Sequence, residues 1–240
     1  MLKQDSHQQQ ISEQFNADLE QLKSQMLEMG GKVESQLHSA VASLVNMDSA
    51  EAEQTIERDQ EVNLLEMAID EQCAKILALR QPAASDLRLV MAIIKANTDL
   101  ERVGDEAAKI ARQAIKLAED GISPSNFIEL RHIANHVAGM LRDALDAFAR
   151  LDVDAAVAVV KNDSNVDREY GSAMRSLMTF MMEDPRDIGA ILNEMWALRS
   201  LERIGDHASN IAEQVVYLVQ GLDVRHGHLA QFEDRVNGGA

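Results

Sequence analysis

The chain has 240 residues, 40 of them acidic and 23 basic, for a formal charge of −17. That balance argues against nucleic-acid binding through phosphate contacts and against docking on an anionic lipid surface, since both need basic surface. The longest apolar runs, Leu89–Ile94 and Ala155–Val160, fall well short of the roughly 18 residues of a membrane span. The opening Met1-Leu2-Lys3-Gln4-Asp5-Ser6-His7 has no apolar h-region, so neither membrane insertion nor a secretory signal is expected. One cysteine, Cys73, rules out an internal disulfide, fits the reducing cytoplasm, and reads most simply as a buried small hydrophobe.

Hydrophobic residues make up 46% of the chain but aromatics only 3%, with 12 glycines and 3 prolines. So few turn formers and so much Leu, Ala, Val, Ile and Met predict an all-α fold. Phe15, Leu19, Leu22, Met26, Met29, Val33, Leu37, Val41 and Leu44 recur every three or four residues, which predicts a helix over 11–47 through Gly30-Gly31. Asp48 and Ser49 are N-cap types for a second helix over 49–79. The segment Arg80-Gln81-Pro82-Ala83-Ala84-Ser85 breaks it, and a third helix runs to about Glu119, stopping near Gly121. Ser123-Pro124-Ser125 opens a second half with helices over 125–150, 152–182 and 185–220.

This layout predicts an internal duplication: two similar three-helix bundles, 11–120 and 124–220, followed by a polar C-terminal tail over 221–240. Leu100-Glu101-Arg102-Val103-Gly104-Asp105 returns as Leu201-Glu202-Arg203-Ile204-Gly205-Asp206, 101 residues later. The match continues through Ala107/Ala208, Ile110/Ile211 and Ala111/Ala212. A weaker echo, offset by 104, pairs Asp59–Asn63 with Asp163–Asp167.

Glu101 and Asp105, and likewise Glu202 and Asp206, stand at i and i+4, so each pair projects from one helix face. Like charges at that spacing repel unless something neutralises them. A divalent cation does so with oxygen ligands; a solvated face, with Arg102 and Arg203 as counter-ions, is the ordinary alternative. Gly104 and Gly205 favour a built site, since a mid-helix glycine costs about 1 kcal/mol relative to alanine.

The duplicated Leu-Glu-Arg-(Val/Ile)-Gly-Asp, the segment Arg80–Arg88, Met182-Glu183-Asp184 and the six-helix layout together resemble the PhoU family over roughly 10–225. The resemblance implies two three-helix bundles with metal-holding acidic motifs and no enzymatic activity. It also implies a negative regulator of the phosphate-starvation (Pho) regulon, a cytoplasmic adaptor between PstB, the ATPase subunit of the Pst phosphate transporter, and the sensor kinase PhoR. A homodimer is expected. Carried onto this chain, the motif positions are Glu101, Asp105, Glu202 and Asp206, with Asp59, Asp163 and Asp167 as partners from adjacent helices. The expected ligands are divalent or multinuclear metal ions, with iron, manganese, magnesium and zinc all left open. Asn63 stands where the second half has Asp167, so the first site is expected to be the weaker. His207 replaces Glu106, so the donor sets are expected to differ.

The alternative function is a carboxylate-bridged metal hydrolase or oxidase on the same bundle, but no general base or nucleophile can be assembled beside the acids. Glu129-Leu130-Arg131-His132 fits Glu-x-x-His without the second copy that a ferritin-like di-iron centre needs. His132 and His136 are themselves i,i+4, with Ile133 where a zinc hydrolase has its glutamate; an exposed helix face is the ordinary reading. Trp196 is expected in core or interface packing, and the methionines Met174, Met178, Met181 and Met182 as gap-filling core.

Overall fold

The computed structural model describes residues 2–120 and 128–224, with side chains described for 13–119 and 128–224. The described residues form six helices: α1 Leu2–Asn46, α2 Ser49–Arg80, α3 Ala84–Asp120, α4 Ile128–Arg150, α5 Val153–Glu183 and α6 Ile188–Gln220. A 3₁₀ turn, Pro185–Asp187, leads into α6. The expected stop at Gly121, the opening at Ser123-Pro124-Ser125 and the tail beyond Val224 lie outside the described residues.

α1 starts nine residues before the predicted helix, which opens at residue 11. Residues 2–10 have no apolar stripe, but they also contain no glycine or proline, so nothing interrupts the backbone. From Leu19 to Leu44 the stripe is buried as expected, with Phe15 and Val41 packed against it. The two short inter-helix turns repeat one geometry. Met47 and Leu151 take positive φ, 51° and 56°. The following Asp48 and Asp152 donate their backbone N–H to Ser43 and Ala147 carbonyls and cap the next helix with their carboxylates. The duplication is therefore visible in the turns, where the bare sequence shows only the aspartates. At the far end of α2, Gln81 in the left-handed region caps the helix ahead of Pro82, and Arg80 ties back to Asp18 of α1 at 2.9 Å.

α1, α2 and α3 pack on one another, as do α4, α5 and α6, and α3 lies along α6 in the most extensive helix contact of the molecule. Hydrogen bonds join Arg88 to the Leu218 carbonyl, Asp99 to Asn210 and Glu106 to Arg203. These pairs run in opposite order along the two helices, so α3 and α6 are antiparallel. α1 also meets α4: a Cβ at Gly30 would lie 2.6 Å from Leu145 Cδ2, so a larger residue there would require the Leu145 side chain to move. Arg142 and Glu34 pair nearby.

Two expectations about packing are corrected and one is narrowed. Met178 and Met182 are exposed rather than core, and Trp196, 57% exposed, lies outside the core, leaving interface packing of its two expected roles. They fall on the outward faces of α5 and α6. Met26, Met29 and Met140 do the gap-filling instead. Cys73 is buried as expected, and burial, with Asp70 nearby, pushes its thiol up to about 12.

Among the buried polar groups, one carboxylate stands at a position that is apolar in the other half. Glu194, 2% exposed, stands where the first half has the fully buried Ile93, and its Oε1 has no hydrogen-bond partner. Burial, with Glu129 nearby, raises its carboxyl to about 7 from an ordinary 4.5. The folded state thus keeps this proton to higher pH than the unfolded chain does. The associated stability is complete below about 4.5 and is lost as pH rises through about 7. Glu194→Gln is expected to raise stability by about 1–3 kcal/mol at pH 8 and to change little at pH 4. Urea unfolding of both proteins at the two pH values checks this, and an equal difference at both would contradict it.

Candidate functional site

The second-half acids come together where α5 meets α6. Oxygens of Asp167, Glu202 and Asp206 all lie within 4.8 Å of one another. Asp163, one turn before Asp167 on α5, joins them electrostatically. Half-burial first, then the charges of Asp206, Asp167 and Glu202, lift its carboxyl to about 6 from 3.8. Glu202 is raised by burial and by Asp206, and Asp206 by burial and by Asp167. Four carboxylates on two adjacent helices are therefore held against their own repulsion.

The first-half set occupies the matching place between α2 and α3. Glu101 is raised by burial and then by Asp105, with Glu66 and Asp59 contributing. Asp59 is buried, and its Oδ1 accepts a 3.0 Å hydrogen bond from Gln36 Nε2 of α1. Gln36 also donates to the Gly104 carbonyl at 3.3 Å. At the 104-residue offset the second half has Met140 in place of Gln36, so Asp163 lacks this amide donor. Among the described residues, no first-half trio draws as close as Asp167, Glu202 and Asp206.

The PhoU domain pattern matches the chain twice, over residues 26–114 and 130–215. A "Phosphate-specific transport system accessory protein PhoU homolog" of Pseudomonas aeruginosa is 56% identical over 236 residues, 98% of each chain. The chain belongs to the PhoU family. The crystal structure of PhoU from Pseudomonas aeruginosa superposes with a TM-score of 0.85 at 57% identity, covering 87% of this chain and 100% of that one. The phosphate transport system regulatory protein PhoU from Streptococcus pneumoniae gives 0.80 at 31% identity, over 88% and 99%. Accessory and regulatory proteins, not enzymes, make up this family's relatives, which sets aside the hydrolase or oxidase alternative. The double match accords with an all-α fold of duplicated three-helix bundles.

Both PhoU clusters have the donor chemistry of a hard or borderline divalent cation. The second is all carboxylate. In the first, Asn63 Oδ1 is buried without a hydrogen-bond partner, an oxygen left open for a ligand. Glu66 was not anticipated from the sequence. Burial, then Asp70, raises its carboxyl, with Asp105 contributing and Arg102 opposing. Its signal was there to find: Asp59, Asn63, Glu66 and Asp70 fall at i, i+4, i+7 and i+11, one face of α2. The second half has Tyr170 at that place, so the repeat carries no second copy of it.

The counter-ions also differ from expectation. Arg102 lies 3.6 Å from Glu101, but Arg203 reaches across to Glu106 of α3 at 3.0 Å. Nor do Glu106 and His207 supply the clusters with donors. Burial would push the Glu106 carboxyl up, yet Lys109, Ser200 and Arg203 hold it below its ordinary range. His207 Nδ1 meets Asp99 at 2.8 Å. Both side chains are taken up in the contact between α3 and α6.

The two repeated glycines are not equivalent. A Cβ at Gly104 would stand 3.1 Å from Asp59 Oδ1 and 3.3 Å from both Gln36 Oε1 and Val62. At Gly205 the nearest atom, on Val166, is an ordinary 3.4 Å away. Gly205→Ala is therefore expected to stabilise by up to about 1 kcal/mol through helix propensity. Gly104→Ala must displace the Asp59–Gln36 pair and should forfeit that gain. Thermal denaturation of the metal-free variants checks the order, and equal shifts would show that the two sites are packed alike.

Proposed function

We propose that this protein is a negative regulator of the phosphate-starvation regulon and of phosphate uptake. It is a cytoplasmic, metal-binding adaptor between PstB of the Pst transporter and the sensor kinase PhoR, and it acts as a homodimer. The observation that carries this reading is similarity along nearly the whole chain to transport-system accessory proteins, with both acidic motifs intact. Among the described residues no helix is long and apolar enough to cross a membrane, in keeping with a protein that meets its membrane partners from the side.

In this reading Asp163, Asp167, Glu202 and Asp206 hold iron, manganese, magnesium or zinc in the second half. Asp59, Glu101, Asp105, Glu66 and Asn63 Oδ1 serve the first. A bound cation supplies positive charge where burial and mutual repulsion have made ionisation costly. The protein residues do the rest: they aim oxygens into one place, and Gln36 keeps Asp59 oriented by hydrogen bonding. Each site then has four carboxylates, Glu66 standing in for the charge that Asn63 lacks; the second differs in that no amide offsets Asp163.

Deleting the gene is expected to leave phosphate-starvation genes expressed in plentiful phosphate, and removing PhoR as well should silence them. A transcriptional reporter in the single and double deletions reads this; normal repression in the single deletion would remove the regulatory role. For the metal, Asp206→Asn takes one of three converging carboxylates and is nearly isosteric. It should weaken manganese or ferrous-iron uptake in the second half by about tenfold while preserving helicity. Relief of the raised Asp206 carboxyl should modestly stabilise the metal-free form. Titration followed by element analysis and circular dichroism tests both parts; unchanged uptake would make these acids a solvated face.

A further inference from the structure

The seam between α5 and α6 changes character along its length. At one end Asp167 stands by Glu202, and the next turn brings Tyr170 to Arg199. These pairs run in opposite order along the two helices. The same register continued places Met174 opposite Met195, Met178 opposite Leu192 and Met181 opposite Ile188. The acids thus give way to an apolar stretch. Met178, Met182, Ile188, Leu192 and Trp196 are 40–79% exposed. They recur at i+4 on each helix, so two apolar stripes lie side by side facing outward.

The duplicated scaffold does not require these side chains. At the offsets of the repeat the first half has Ala74 and Ala78 for Met178 and Met182, and Lys95 for Trp196. Lys95 lies over the Tyr217 ring at 5.4 Å, a contact within the fold. At about 200 Å² for a fully exposed side chain of this size, the five second-half residues leave roughly 500 Å² of apolar surface. A stable pair of proteins buries about 800 Å² on each partner, an apolar core within a polar rim. The stretch has the size of such a core.

The rim indicates which partner fits. Arg175 and Arg199 stand at the end nearer the acidic cluster, and Glu183 and Asp187 at the other. There Asp184 and Arg186 neutralise each other at 2.6 Å. Three arginines therefore balance three acids around this face, in a chain of charge −17. Repulsion between two copies is weakest here. A two-fold axis near Leu192 lays stripe on stripe and sets the basic end of each copy against the acidic end of the other. A partner of uniform charge would gain at one end and be repelled at the other.

We propose that Met178, Met182, Ile188, Leu192 and Trp196 form the surface on which two copies of this chain meet, an inference that rests on the homodimer of the proposed function. Trp196 is the chain's single tryptophan, so its fluorescence reports on this face alone. Sedimentation and tryptophan emission are followed over one dilution series of the full chain. Emission should move to shorter wavelength, and acrylamide quenching should fall, with the same midpoint as dimer formation. Met182→Glu and Leu192→Glu should each raise that midpoint at least about tenfold. Leu79→Glu, equally exposed but on α2, should not. Arg199→Glu should also weaken the dimer, and adding Asp187→Arg should recover most of the loss. Met182 is exposed enough that its variant folds even if the Leu192 variant does not, and circular dichroism verifies this. A dimer that forms without moving the Trp196 emission, or that Met182→Glu leaves as tight, would overturn this face and keep the homodimer. A monomer at every concentration would overturn both.

Discussion

The antiparallel packing of α3 on α6 decides where the charged groups of both halves point. Consecutive residues on a helix diverge by about 100°. A helix that offers Glu106 or His207 to its partner therefore turns Asp105 or Asp206 away, toward its own middle helix. Each acidic motif is thus split between two tasks, one residue joining the halves and its neighbours lining a cluster. Across the joint the matched positions carry unlike chemistry: Glu106 faces Ser200 and Arg203, whereas His207 faces Asp99. Two copies of the first half packed in the same way would bring Glu106 against Asp99. The halves are complementary to each other and not to themselves.

That divergence extends to the clusters. The duplicated backbone is closely kept, down to the left-handed residue before each capping aspartate. The electrostatics are not. In the first half Gln36 hydrogen-bonds the inner aspartate, and Glu66 supplies the carboxylate that Asn63 does not. In the second half the inner aspartate faces three other carboxylates and no amide, and its proton is held to about pH 6. The second cluster is the more tightly drawn of the two.

Much of this was readable beforehand because it repeats. The hexapeptide pairs, the helix count and the α1 stripe each rest on periodicity or recurrence, and the structure keeps all three. What escaped was whatever lies outside the repeat or depends on rotation about a helix axis. Glu66 has Tyr170 as its counterpart and so left no echo. Glu169 pairs with His136 from 33 residues beyond it, on another helix, and no spacing rule joins them. The outward turn of Trp196, Met178 and Met182 could not be read from hydrophobicity alone, since α5 and α6 carry apolar residues on more than one face. Glu106 and His207 were placed one residue too generously, next to the clusters in sequence and around the helix from them in space.

Cys73 gives the molecule a practical property. It is the chain's single cysteine, 1% exposed, with a thiol so reluctant to ionise that alkylating reagents find almost no thiolate at neutral pH. A cysteine introduced anywhere on the surface is therefore the one reactive handle in the protein, with no need to delete the native residue. Spin labels or fluorophores placed one on each half would report the distance between them from an otherwise wild-type core.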